Sequence, residues 1–174
     1  MKKNLLIAVM LMFCAATVIS CDKKDDNGNE QKNEQKTEQK ENFFKFGSKT
    51  FDVEYVTLYY YGELLGNGMY AYSIEFSSGY GIMELSILFS GKTIPSSSKT
   101  YNYSASPKVY GCWYYNNDRT EKYEDDLSSG SATINKNGDT LEIEFSAKTL
   151  LPENKVMSGY YKGKIDSYED CSDQ

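Results

Sequence analysis

The feature that most constrains this chain is a period-two alternation of apolar and polar residues, repeated along it and punctuated by glycine-marked turns. Tyr70, Tyr72, Ile74 and Phe76 alternate with Ala71, Ser73 and Glu75. Met83, Leu85, Ile87 and Phe89 alternate with Glu84, Ser86 and the less polar Leu88. Leu141, Ile143 and Phe145 alternate with Glu142, Glu144 and Ser146. Successive side chains on a strand point to opposite faces, so each segment is a half-buried strand. Gly66-Asn67-Gly68, Ser77-Ser78-Gly79 and Asn137-Gly138 mark turns between them. No stretch has the 3.6-residue spacing of an amphipathic helix. All 16 tyrosines lie between Tyr55 and Tyr168, which again favours strands. The expectation is one antiparallel all-β domain over residues 43–174, a two-sheet sandwich or a flattened, open barrel of roughly eight strands.

Asn137-Gly138 is the clearest hairpin. Both residues accept positive φ, and a two-residue loop there pairs Lys136 with Asp139, Ile134 with Leu141 and Ala132 with Ile143. The apolar members then share one face. Phe51, Val53 and Tyr55 alternate, but Val56, Leu58 and Tyr60 place apolar groups on the second face as well. That predicts a bulge near Val56 or a covered outer face. The last expected strand is residues 157–165, with Gly159 and Gly163 inside it.

The chain ahead of the domain reads differently. Lys2 and Lys3 precede an apolar run over residues 5–16, too short to span a bilayer, which takes about 20 residues. This is the pattern of an export signal over residues 1–20. It ends in Val18-Ile19-Ser20-Cys21, which resembles a lipobox, with Cys21 as the lipidated residue. The rival reading is an ordinary signal peptide in which Cys21 is incidental. Residues 22–42 carry three Glu-Gln-Lys repeats and no apolar face, as expected of a disordered tether. Its 21 residues would reach about 70 Å extended and about 25 Å on average. The run Lys24-Asp25-Asp26 behind the cysteine resembles the surface-export signal of Bacteroidota lipoproteins. Asp22 beside Cys21 also resembles the inner-membrane retention signal of enteric bacteria; the lysine–aspartate run favours surface export.

Ser129-Gly130-Ser131-Ala132-Thr133-Ile134, Asn137-Gly138-Asp139-Thr140-Leu141-Glu142-Ile143 and Ser158-Gly159-Tyr160-Tyr161-Lys162-Gly163-Lys164-Ile165 resemble the closing half of many small Bacteroidota lipoproteins. In these a Gly-Asp hairpin precedes a Gly-x-Tyr-x-Gly strand. The resemblance covers about a quarter of the chain well. It implies a β fold and placement at the outer membrane, exposed on the cell surface or, alternatively, facing the periplasm. It carries no catalytic residue.

Charge and composition exclude several functions. The domain has 18 acids against 12 bases, net −6, so nucleic acid is not an expected partner. Histidine is absent, which removes Ser–His–Asp and Cys–His nucleophilic pairs, histidine bases and His-ligated zinc. Glu121, Glu124, Asp125 and Asp126 lack the alternating acids and central glycine of an EF-hand loop and read as a solvated loop. Glu142 and Glu144 are two apart on a strand's polar face, not flanking a cleft as a glycosidase pair would. No enzyme activity, cofactor or metal is expected. After processing, Cys112 and Cys171 are the thiols left unlipidated, and an even pair outside the cytoplasm predicts a disulfide. Tyr59 and Tyr61 share a strand face, as do Trp113 and Tyr115. If those strands are neighbours with the rings outward, the four form a flat face for stacking neutral sugars. The chain is therefore expected to hold the membrane through lipid on Cys21 and to bind a glycan or peptide without catalysis. The alternative is a structural or accessory subunit that contacts another envelope protein.

Overall fold

The computed structural model of the chain describes residues 40–173, except 65, 106–107, 119, 124–126 and 151–154. The expected lipidation site, Cys21, the signal segment and most of the tether lie outside the described residues, as do Glu124, Asp125 and Asp126 of the acidic loop.

The domain is a β-sandwich of two six-stranded sheets packed face to face and not closed into a barrel. Its strands are β1 (Phe43–Phe46), β2 (Lys49–Asp52), β3 (Tyr55–Leu64), β4 (Met69–Ser77), β5 (Gly81–Phe89), β6 (Lys99–Asn102), β7 (Val109–Asn116), β8 (Lys122–Tyr123), β9 (Leu127–Asn137), β10 (Thr140–Thr149), β11 (Val156–Lys164) and β12 (Ser167–Asp170). One sheet runs β2-β1-β11-β10-β9-β6 and the other β12-β3-β4-β5-β7-β8. Among the described residues twelve strands replace the expected eight or so, because β1, β2, β6, β8 and β12 have four residues or fewer. So short a segment shows little alternation to read. Among the described residues every pairing is antiparallel except that of the edge strand β12 with β3, which is parallel.

The alternating residues face each other across the sandwich. Leu58, Ile74, Met83, Leu85 and Ile87 from one sheet, and Phe44, Ile134, Leu141 and Ile143 from the other, are almost wholly buried. Aromatic rings bridge the layers. Phe46 stacks on Tyr114 at 4.3 Å between centroids, Phe76 on Phe145 at 5.4 Å, and Phe89 meets Tyr101 edge-on at 4.9 Å. Such pairs contribute about 0.5–1.5 kcal/mol each beyond area burial. The Gly-x-Tyr-x-Gly pattern is structural. A Cβ on Gly159 would lie 2.5 Å from the Phe145 ring, and one on Gly163 would lie 2.6 Å from the Tyr161 hydroxyl. Each glycine thus leaves room for one large side chain.

Three local expectations are corrected. The β9–β10 turn consists of Gly138-Asp139, with Gly138 at φ 58°, so Asn137 pairs with Thr140 and Ile134 with Ile143. Each strand has moved one residue relative to the expected pairing. Because the offset is even, every side chain keeps its face. The segment beginning at Phe51 is not one strand: it breaks at Val53 and Glu54, where the chain leaves the first sheet and enters the second. The bulge in β3 lies at Tyr61, not near Val56, while the alternative expectation of a covered outer face is met at Thr57, which is buried.

Cys112 and Cys171 are free thiols, which corrects the expected disulfide. Cys112 points into the core and its thiol contacts the Met83 sulfur at 3.6 Å. Cys171 follows β12, beyond the opposite side of β3, and its amide donates to the Tyr60 carbonyl. Three strands separate β12 from β7. At about 4.8 Å per strand the gap is about 19 Å, against the roughly 7 Å limit between disulfide Cα atoms.

Candidate functional site

The outer face of the second sheet departs from an ordinary solvated sheet surface. Its register lines up Thr57, Glu75, Glu84 and Trp113 in one row across β3, β4, β5 and β7. The next row is Tyr59, Ser73, Ser86 and Gly111. In the second row the two central strands carry only serine, and rings stand on the flanking strands at Tyr59 and, one row away, at Trp113. The result is a groove of about 320 Å³ lined by Tyr61, Leu64, Ala71, Ser73, Glu84, Ser86, Tyr110 and Trp113.

Two β-bulges shape it. In β3 the register skips Tyr61, with Gly62 beyond it at φ 83°. In β7 the register passes from Gly111 to Val109 and skips Tyr110. Plain alternation from Tyr114 and Cys112 would send Tyr110 into the core; the bulge turns it back to the outer face, where it lines the groove. Bulges re-aim side chains and are over-represented beside binding and active sites. Here one stands on each side of the same groove.

The floor is polar. Ser73 and Ser86 are paired across β4 and β5, share a hydrogen bond between their hydroxyls, and are both buried. Burial raises the Tyr61 phenol pKa above its usual range, with further upward pushes from Glu84, Cys171 and Tyr110, while hydrogen bonding to Ser73 pulls it down. Burial likewise raises Tyr110, and hydrogen bonding to Ser86 opposes it. Both tyrosines line the groove together with the serine pair. Tyr59 is pushed up to about 12, first by burial and then by the charges of Glu75 and Glu169. Glu75 and Glu84 are direct cross-strand partners, an arrangement of like charges that costs stability.

Trp113 forms a platform. A Cβ on Gly111 would fall 2.1 Å from the indole Cη2 and 2.5 Å from Cζ2, so the benzo ring of the indole lies directly over the bare backbone of Gly111. A side chain at 111 would lift it away.

Of the four residues expected to form an aromatic face, Tyr61 and Trp113 line the groove. Tyr59 stacks beside Tyr61 at 6.4 Å between centroids. Tyr115 stands farther along β7, with the Lys122 ammonium 5.8 Å from its ring, and does not line the groove. The single flat face is corrected to a trough, because β3 and β7 are not neighbours: β4 and β5 lie between them. Three strand spacings set the aromatic walls about 14 Å apart at the backbone. Tyr110, Ser73, Ser86 and Glu84 belong to the site but are not among the four residues expected to form it. For the serines and Glu84 the alternation was a usable signal, since it places them on the outer face opposite one another.

Elsewhere, Glu142 of the discounted pair is bonded to the Lys162 ammonium at 3.2 Å and Glu144 to that of Lys40 at 2.6 Å, on an exposed strand face. No cluster of potential metal ligands occurs among the described residues.

No family model matches the chain, and no curated protein or solved structure matches it significantly.

Proposed function

We propose that this chain is a lipid-anchored envelope protein that displays a non-catalytic glycan-binding domain at the cell surface. The observation that carries the binding reading is the bulge-framed trough between Tyr61 and Trp113. A pyranose ring offers a flat C–H face and an edge of hydroxyl groups. Aromatic walls suit the face. Glu84 and the phenols of Tyr61 and Tyr110 supply acceptors and donors for the hydroxyls, above the buried serine pair. The volume, about 320 Å³, lies at the low end of the range for small-ligand sites, room for one or two sugar units of a longer chain. The trough is shallow and open to solvent rather than enclosed, which favours a sugar within a larger chain over capture of a small molecule. The anchoring reading rests on the short apolar run, Cys21 and the Lys24-Asp25-Asp26 run.

The binding test is a glycan array probed with the full chain carrying Cys21→Ser, beside the same chain with Tyr61→Ala and Trp113→Ala. Neutral oligosaccharides should be retained by the first and lost by the second while the fold persists. No glycan bound, but a stable envelope protein co-purifying, would favour the accessory-subunit reading. Palmitate labelling of wild-type but not Cys21→Ser protein tests the anchor, and protease accessibility on intact cells tests surface display.

A further inference from the structure

A second and larger cavity, about 450 Å³, opens at one end of the sandwich, away from the aromatic trough. Three elements close around it: the loop after β5, the tip of the β9–β10 hairpin and the edge strand β12. Its floor reaches the core. Leu58 and Tyr72 from the second sheet line it, 1 % and 6 % exposed, with Ile94 from the loop at 8 %. Its rim carries Lys92 from the loop, Lys136 beside the hairpin turn and the exposed ring of Tyr168.

The walls are tied down before any ligand arrives. The Tyr72 hydroxyl donates to the Lys92 carbonyl, and the Lys136 amide donates to the Pro95 carbonyl at 2.9 Å. The loop is thereby pinned at both ends, one to each sheet. A cavity of this size, apolar below and framed by fixed backbone, falls within the range of small-ligand sites, about 300–1,000 Å³. The charge at its mouth is unusual for this domain. In a domain of net charge −6, the described residues lining this cavity include two lysines and no carboxylate. The Lys136 ammonium donates to the neutral Gly138 carbonyl; Asp139 and Asp166 line an adjoining groove with it, balanced there by Lys164. Lys92 lies 5.8 Å from the Tyr60 ring and within the field of Asp170, outside the cavity lining.

We propose that this end cavity binds a small organic anion with an apolar body, such as a medium-chain carboxylate. The apolar part would lie on Leu58, Tyr72 and Ile94, and the carboxylate would meet Lys92 and Lys136 at the rim. The site is separate from the aromatic trough and does not rest on the glycan reading.

The probe is 8-anilinonaphthalene-1-sulfonate, titrated into the full chain carrying Cys21→Ser, with laurate as competitor. The expected result is saturable one-to-one fluorescence enhancement displaced by laurate. Lys92→Glu with Lys136→Glu should weaken binding tenfold or more, and Ile94→Trp should block it by filling the floor. Near-UV circular dichroism checks that each variant keeps its packing. N-phenyl-1-naphthylamine, which shares the rings but lacks the anion, should bind more weakly and ignore the lysine changes. Absent wild-type binding, binding untouched by both the lysine and the Ile94 variants, or equal affinity for the neutral probe would each overturn the proposal.

Discussion

Gly111→Ala probes the trough through one methyl group. The added Cβ would sit 2.1, 2.5 and 2.8 Å from three carbons of the Trp113 indole. Carbon atoms rest at about 3.5–4.0 Å, so the ring must retreat by about 1.5 Å. The indole lies on the outer face and can swing away, so the cost falls on its own packing rather than on the core. Overpacking costs about 1–3 kcal/mol. Replacing glycine in a strand interior returns about 0.5–1 kcal/mol. The expected net loss is about 1 kcal/mol, a Tm drop of about 4 °C for a domain of this length. Binding should suffer more distinctly: loss of one ring contact, about 0.5–1.5 kcal/mol, weakens a stacked ligand by about two- to tenfold. Trp113 is the only tryptophan in the chain, so its emission reports the displacement without a label. The emission maximum should move to longer wavelength and acrylamide quenching should rise. A Gly111→Ala protein with unchanged emission and quenching would refute the placement of the indole over Gly111, and with it the platform.

Two further predictions concern ionisation and thiols. Both cysteines of the domain should be alkylatable, so the intact mass under non-reducing conditions should not be two hydrogens light. Cys171 should react in native protein and Cys112 only on unfolding, since Cys112 is wholly buried and burial holds its thiol far above the usual pKa. A native protein with no reactive thiol would contradict the topology. Tyr59, Tyr61, Tyr72, Tyr101 and Tyr110 all have phenol pKa values raised chiefly by burial. A pKa raised in the folded state gives stability that is complete below the unfolded value near 10 and is lost as pH rises through the folded value. Stability should therefore fall from about pH 10 upward. Phenolate absorbance should rise in two phases, the second coincident with unfolding; a single phase with no loss of structure would contradict the burial.

What the sequence makes legible is set by what is local. Alternation assigns Ile134, Leu141, Ile143 and Phe145 to one face, and that survived a hairpin pairing displaced by one residue on each strand, because an even offset leaves faces unchanged. The same parity puts Tyr59 with Tyr61 and Trp113 with Tyr115 on shared faces but does not choose inward or outward, because both faces of these segments carry apolar residues. Strand order is not local. Nothing near Tyr61 or Trp113 encodes that β4 and β5 lie between them, so the local pattern fits a flat face as well as the trough that stands there. The Cys112–Cys171 pairing failed for the same reason: even cysteine number says nothing of the strands between. Tyr110 was hidden differently. Its bulge breaks the parity from which its orientation would be read, and the skipped register depends on partners on β5. The short strands β1, β2, β8 and β12 have too few residues for a period to show.

The most direct test of the central claim uses Trp113 as both wall and reporter. Oligosaccharides retained on the array would be titrated into the full chain carrying Cys21→Ser while acrylamide quenching of its one tryptophan is followed. If the trough is the binding site, quenching should fall saturably as sugar covers the indole, with the same midpoint as binding measured by calorimetry. Calorimetric binding that leaves Trp113 equally open to quencher at saturation would place the ligand elsewhere and contradict the account.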